Sequence, residues 1–152
     1  DKINNQIIFD EIDPVNAYEK LVGCEKSFLI DVRSKAEWNF VGIPYSLDMK
    51  NEVIFCEWSV FPNMIKNSNF IEELISKIDF KQAENLYFIC RSGARSFQAA
   101  KEVQNTLQKF YKEFGVKFCL NVRYGFEGDL SEDSKRGNLN GWKYSNLPWM
   151  QL

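Results

Sequence analysis

The stretch from Leu86 to Ser96 constrains the fold more than any other part of the chain. An apolar run, Leu86-Tyr87-Phe88-Ile89, leads straight into Cys90-Arg91-Ser92-Gly93-Ala94-Arg95-Ser96. An amphipathic pattern begins just after the glycine. A short continuous apolar run followed by a glycine turn and then a 3.6-residue periodicity reads as strand, tight loop and helix. Cys90 thus stands at the end of a strand and faces a helix N-terminus. Such a junction aims several backbone N–H groups at one point, which suits an anionic sulfur or a bound oxyanion.

The same alternation runs along the chain. Ile7-Ile8-Phe9 reads as a first strand. Asp13-Pro14 reads as an N-cap and first helical residue, with Ala17 and Leu21 facing inward and Gly23 as the stop. Ser27 to Val32 is apolar enough to be buried on both faces, as in a parallel sheet. Ser34-Lys35-Ala36-Glu37 fits a capping box, predicting a short helix through Trp38 and Phe40 that Gly42-Ile43-Pro44 breaks. Glu52 to Trp58 reads as a weak strand, and Ser59 to Asn69 as loop. Asn69 caps a helix whose face is Phe70, Ile71, Leu74, Ile75 and Ile78. After the cysteine loop, Ala100, Val103, Leu107, Phe110 and Phe114 mark one helical face, closed by Gly115. Val116 to Val122 is the last clear strand. From Tyr124 the chain turns polar and glycine-rich, then aromatic, and this tail is expected to lie back on the domain.

Strands alternating with helices imply an α/β domain of three layers around a mostly parallel sheet, where sites lie beyond the strands' C-terminal ends. Cys90 and the pair Asp31 and Arg33 fall at such ends. The 152 residues are expected to form a single domain, with a core of about residues 7–122 and a C-terminal aromatic extension over 124–152.

Composition removes several function classes. The net charge is −2, which argues against a nucleic-acid footprint. No apolar run approaches the roughly 18 residues of a membrane span, and no signal peptide is legible. Histidine is absent, so Cys-His and Ser-His-Asp triads and histidine-ligated zinc are excluded. The four cysteines, Cys24, Cys56, Cys90 and Cys119, contain no Cys-x-x-Cys pair. They are expected to be reduced thiols in a cytoplasmic compartment, with Cys24, Cys56 and Cys119 serving as core packing. No metal and no organic cofactor are expected.

A cysteine attacks only as thiolate, and few free thiols are ionised at neutral pH. A helix N-terminus favours an anion by about 0.3–1 kcal/mol, and by up to about 2 when partly buried. Arg91 and Arg95 add to this if they turn inward. The thiolate then needs no histidine.

On these residues the sequence resembles the rhodanese-like family of sulfurtransferases. The match is carried by the Cys90 to Ser96 loop. A second match is Leu29-Ile30-Asp31-Val32-Arg33, followed by Glu37-Trp38 and Gly42-Ile43-Pro44, where the family often places a histidine after the glycine. A weaker third match joins Gly125-Phe126-Glu127-Gly128-Asp129 to Gly141-Trp142-Lys143 and Leu147-Pro148-Trp149, as in bacterial single-domain members. The resemblance implies a five-stranded sheet with helices on both sides, and sulfur carried as a Cys90 persulfide. The donor would be a compound such as thiosulfate and the acceptor cyanide or a thiol, either of them small or borne on a protein. It implies that loop amides from Arg91 to Ser96 hold the charged sulfur, that Arg95 and Arg91 bind the anionic donor, and that Asp31 and Arg33 brace the loop.

Two alternatives stand beside it. Phosphatases and arsenate reductases on this fold place five residues between cysteine and arginine, whereas four lie between Cys90 and Arg95. A non-catalytic binding module would have an inert Cys90.

Overall fold

The computed structural model describes residues 6–60 and 62–152. Residues 1–5 of the expected domain, and Phe61 in the stretch read as loop, lie outside the described residues. In chain order the elements are β1 (Ile8–Ile12), α1 (Pro14–Gly23), β2 (Ser27–Asp31), α2 (Lys35–Val41), β3 (Ile43–Pro44), β4 (Ile54–Phe55) and β5 (Ser59–Val60). They continue as β6 (Ile65–Lys66), α3 (Phe70–Lys77), β7 (Asn85–Ile89), α4 (Ala94–Phe110), β8 (Phe118–Val122) and β9 (Trp149–Met150).

The central sheet has five strands in the order β1-β8-β7-β2-β4, and every neighbouring pair is parallel. Its middle strand, β7, is buried on both faces with the two-residue alternation a strand requires. Leu86, Phe88 and then Cys90 point into a core with Phe70 and Leu74 of α3 and Ala99, Ala100, Val103 and Leu107 of α4. Tyr87 and Ile89 point the other way, to Ala17 and Leu21 of α1 and to Phe126 and Trp142. Two independent cores on one sheet are the three-layer α/β arrangement expected from the alternation. In the tail, Trp142 is wholly buried, and its indole N–H donates to the Pro148 carbonyl at 2.8 Å.

Register places the chemistry. Asp31 of β2 pairs with Ile89, and Asn121 of β8 pairs with Phe88. Asp31, Cys90 and Asn121 therefore gather at the C-terminal edge of three adjacent strands.

Four local expectations need correction. The weak strand at 52–58 shrinks to Ile54–Phe55, the two residues in parallel register with β2. The stretch read as loop contains an antiparallel hairpin of β5 and β6, and β3 pairs antiparallel with β9. Helix α4 stops at Phe110, four residues before Phe114. Phe110 is 72% exposed, while Phe114 packs on the core from beyond the helix and stacks on Phe80. Asp13 and Asn69 occupy the N-cap positions of α1 and α3 without a side-chain capping bond. Asp13 pairs with Arg123 at 3.3 Å instead.

Candidate active site

The site is built on the helix end that the sequence places after Gly93. Gly93 adopts φ +113 and ψ −11, a left-handed conformation that glycine reaches without steric cost, and it starts α4. The turn brings the first amides of the helix back over the end of β7. Cys90 Sγ receives the Gly93 N–H at 3.2 Å and the Ser96 N–H at 3.3 Å. Both belong to the set of helix-start amides that lack an intrahelical acceptor, so the sulfur caps the helix. The Ser96 hydroxyl is also 3.2 Å from Sγ. Cys90 itself is only 1% exposed.

Asn121 fixes this arrangement from behind. Its Nδ2 donates to the Glu11 carboxylate at 2.9 Å and to the Gly93 carbonyl at 3.2 Å. Both partners only accept, so Oδ1 faces Ser96 and takes its hydroxyl proton. The Ser96 hydroxyl thus stands between the sulfur and a buried amide oxygen.

The expected loop residues have diverging surroundings. Arg91 is exposed and Ala94 opens the helix. Ser92 and Gly93 line a small cleft behind the loop, together with Glu11 and Asn121. Arg95 is not free: its two terminal nitrogens donate to Glu37 at 2.8 and 2.9 Å. Glu37 in turn completes the predicted capping box, accepting from the Ser34 amide at 3.1 Å while its own amide donates to the Ser34 hydroxyl. Burial acts to raise the Glu37 carboxyl pKa. The Arg95 and Ser34 hydrogen bonds and the Arg95 charge overcome it and bring the carboxyl down to about 2. The same pairing raises Arg95 against its own burial.

Asp31 and Arg33 form a fully buried pair. Arg33 Nε and Nη2 bond the Asp31 carboxylate at 2.9 and 2.6 Å, and Nη2 reaches the Gly42 carbonyl at 2.9 Å. Nη1 has no partner. The guanidinium carbon lies 4.3 Å from the Phe126 ring centre, a cation–π contact. The Phe126 N–H then bonds the Cys90 carbonyl at 2.7 Å. No hydrogen bond joins the pair to the cysteine side chain among the described residues, and the pair connects to the Cys90 backbone through Phe126.

The C-terminal segment also presses on the loop. Glu127 and Gly128 amides bond the Arg91 carbonyl at 3.0 and 3.2 Å. Gly125 has φ +65, and a Cβ there would collide with the Cys90 carbonyl and sit 2.6 Å from the Arg91 carbonyl.

Above the loop lies a cleft of about 560 Å³. Arg91, Arg95, Arg136, Glu37 and Glu127 line it, with an apolar wall of Phe40, Val41 and Met64. The sequence had not marked Asn121, Glu127 or Arg136 as site residues. The weak tail motif contained Glu127, but nothing local tied it to the cysteine loop. The remaining thiols sit apart. Burial and the charge of Glu73 push Cys56 up to about 12, and burial raises Cys119 as well. Cys24 is half-buried, and all four cysteines are free.

Comparison with known proteins supplies the family. The Rhodanese-like domain profile matches residues 14–132, and the chain belongs to this family. An uncharacterized protein of Rickettsia conorii is 39% identical over 133 residues, covering 88% of this chain and 90% of the relative. Another from Rickettsia prowazekii is 38% identical over 143 residues, covering 94% and 98%. Among solved structures, Rv0390 from M. tuberculosis superposes with a TM-score of 0.80 at 35% identity, covering 96% of this chain and 99% of that one. A polysulfide-sulfur transferase homodimer from Wolinella succinogenes shares the fold, with a TM-score of 0.58 at 20% identity and coverage of 99% and 83%. No helix among the described residues is long and apolar enough to cross a membrane.

Proposed function

We propose that the protein is a sulfurtransferase that carries sulfane sulfur on Cys90. The observation that carries this is the convergence of the Gly93 and Ser96 amides on Sγ, with the Ser96 hydroxyl beside them. Fixed donors around a buried sulfur stabilise negative charge there without reorganising during the reaction. The amides of Ala94 and Arg95 have no partner among the described residues and are the donors left for an outer sulfur.

In the first step the Cys90 thiolate attacks the outer sulfur of a donor such as thiosulfate. A new S–S bond forms on Sγ, and sulfite leaves with the electron pair of the broken bond. In the second step a nucleophile such as cyanide or a thiol takes the outer sulfur and returns the thiolate. Arg91 faces the anionic donor. Arg95 shapes the wall of the cleft through Glu37 and supplies positive potential rather than a free hydrogen-bonding fork. Asp31 and Arg33 hold the Cys90 backbone through Phe126. The four free thiols are consistent with work in a reducing, cytoplasmic compartment.

Cys90→Ser is expected to abolish thiosulfate:cyanide activity while thermal unfolding stays cooperative. A variant that retained activity would remove Cys90 from the mechanism. Inserting one glycine between Ala94 and Arg95 is expected to weaken sulfur transfer by enlarging the ring of amides. Unchanged transfer would refute the argument from loop size.

A further inference from the structure

We infer that the cleft walled by Arg91 and Arg95 of the cysteine loop takes, as sulfur acceptor, a thiol bearing both a carboxylate and an ammonium group, an amino-acid or short-peptide thiol, selected by Arg136 and Glu127. This rests on the proposed persulfide chemistry and goes beyond it, because thiosulfate and cyanide leave most of the cleft unused. Its volume of about 560 Å³ is that of a site for an organic ligand.

The charges on its walls are of two kinds. Arg95 and Glu37 satisfy each other. The others are uncommitted. Arg91 makes no side-chain hydrogen bond or ion pair among the described residues. Arg136 spends only Nη1, on the Gly128 carbonyl at 2.8 Å, and that bond holds its guanidinium at the cleft. Glu127 has no side-chain hydrogen bond and no ion pair among the described residues. Its charge is felt by Lys143, but that ammonium donates to the Val41 carbonyl at 2.9 Å and lies 3.9 Å from the Trp149 ring centre. The cleft thus presents two open cations and one open carboxylate beside the apolar wall of Phe40, Val41 and Met64.

A ligand that complements this pattern carries an anion, a cation and a short aliphatic stem. A carboxylate suits an arginine fork, and an ammonium suits Glu127. The opposite arrangement is penalised, since a purely cationic or purely anionic thiol leaves one wall facing like charge or unpaired. The transfer balances without an oxidant. The acceptor thiolate attacks the outer sulfur of Cys90–S–SH. The bond to Sγ breaks and leaves its electron pair on Cys90. The acceptor departs as a persulfide that keeps the hydrogen of the outer sulfur.

The test loads the full chain with thiosulfate and follows loss of the Cys90 persulfide to four short thiols. These are mercaptoethanol (neutral), mercaptopropionate (anionic), cysteamine (cationic) and cysteine (both). Each rate is normalised to its thiolate concentration. Cysteine is expected to react about tenfold faster than mercaptoethanol, equivalent to about 1.4 kcal/mol of selectivity. Arg136→Ala is expected to erase the advantage that a carboxylate confers, and Glu127→Gln the advantage that an ammonium confers. Equal rates for all four thiols, or variants that slow all four alike, would overturn the inference. A chain that forms no persulfide with any donor would overturn the proposed function itself, and this inference with it.

Discussion

Replacing Glu37 with glutamine removes one charge from the cleft wall and leaves the local fold able to form. Glutamine at the third helical position still completes a capping box, so the substitution isolates the charge from the cap. The size of the effect follows from the carboxyl's position. Burial opposes its ionisation, but the bonds from Arg95 and Ser34 hold it at about 2 against an ordinary 4.5. That difference, taken at about 1.36 kcal/mol per pH unit, sets a ceiling of about 3 kcal/mol. The Arg95 and Glu37 side chains remain 18% and 19% exposed, so water screens the pair and the expected contribution is about 2 kcal/mol. The folded carboxyl titrates below the unfolded one. Its stabilisation is therefore complete above pH 4.5 and is lost as the pH falls toward 2. Urea unfolding of both proteins at pH 7 and pH 3 reads this directly. The native chain is expected to exceed Glu37→Gln by about 2 kcal/mol at pH 7 and by less than about 1 at pH 3. A gap of the same size at both pH values, or none at pH 7, would refute the role of the Arg95–Glu37 charge pair.

Asp31→Asn leaves the Arg33 cation buried with a neutral partner, and about 3–5 kcal/mol of stability is expected to go, measured by chemical unfolding. The double replacement Asp31→Leu with Arg33→Met is expected to cost less than Asp31→Asn alone, because it leaves no buried charge. Gly125→Ala forces a Cβ against the Cys90 and Arg91 carbonyls at a positive φ, so it is expected to lower Tm and slow sulfur loading together. A variant with normal loading would show that the backbone of the loop tolerates displacement. Trp142→Ala empties a fully buried site between the tail and α1, with an expected loss of about 3–5 kcal/mol on unfolding in urea.

What was legible in the sequence was what is local. The Leu86 to Gly93 junction, the continuous apolar runs of β2 and β7, and the Ser34–Glu37 capping box all act within a few residues. Each formed where expected. The mostly parallel character of the sheet followed from alternation, and its five strands from resemblance to a known family. What escaped was non-local. Glu37 was legible as a cap, but its pairing with Arg95 joins residues 58 positions apart. Asn121 lay inside a strand pattern, and only register with β7 brings it behind the cysteine loop. Arg136 sits in a polar stretch with no periodicity, and it reaches the cleft because Trp142 and β9 tie the tail down. The apolar periodicity of α4 ran on past Phe110, since Phe114 packs from a turn that happens to keep the phase.

The central claim is that Cys90 carries sulfur, and intact mass spectrometry of the native chain tests it most directly. The protein would be weighed after incubation with thiosulfate and again after cyanide. The account predicts a gain of one sulfur atom, located on Cys90, that cyanide removes and that Cys90→Ser never acquires. No gain with thiosulfate or any other sulfane donor, or the same gain in Cys90→Ser, would contradict it.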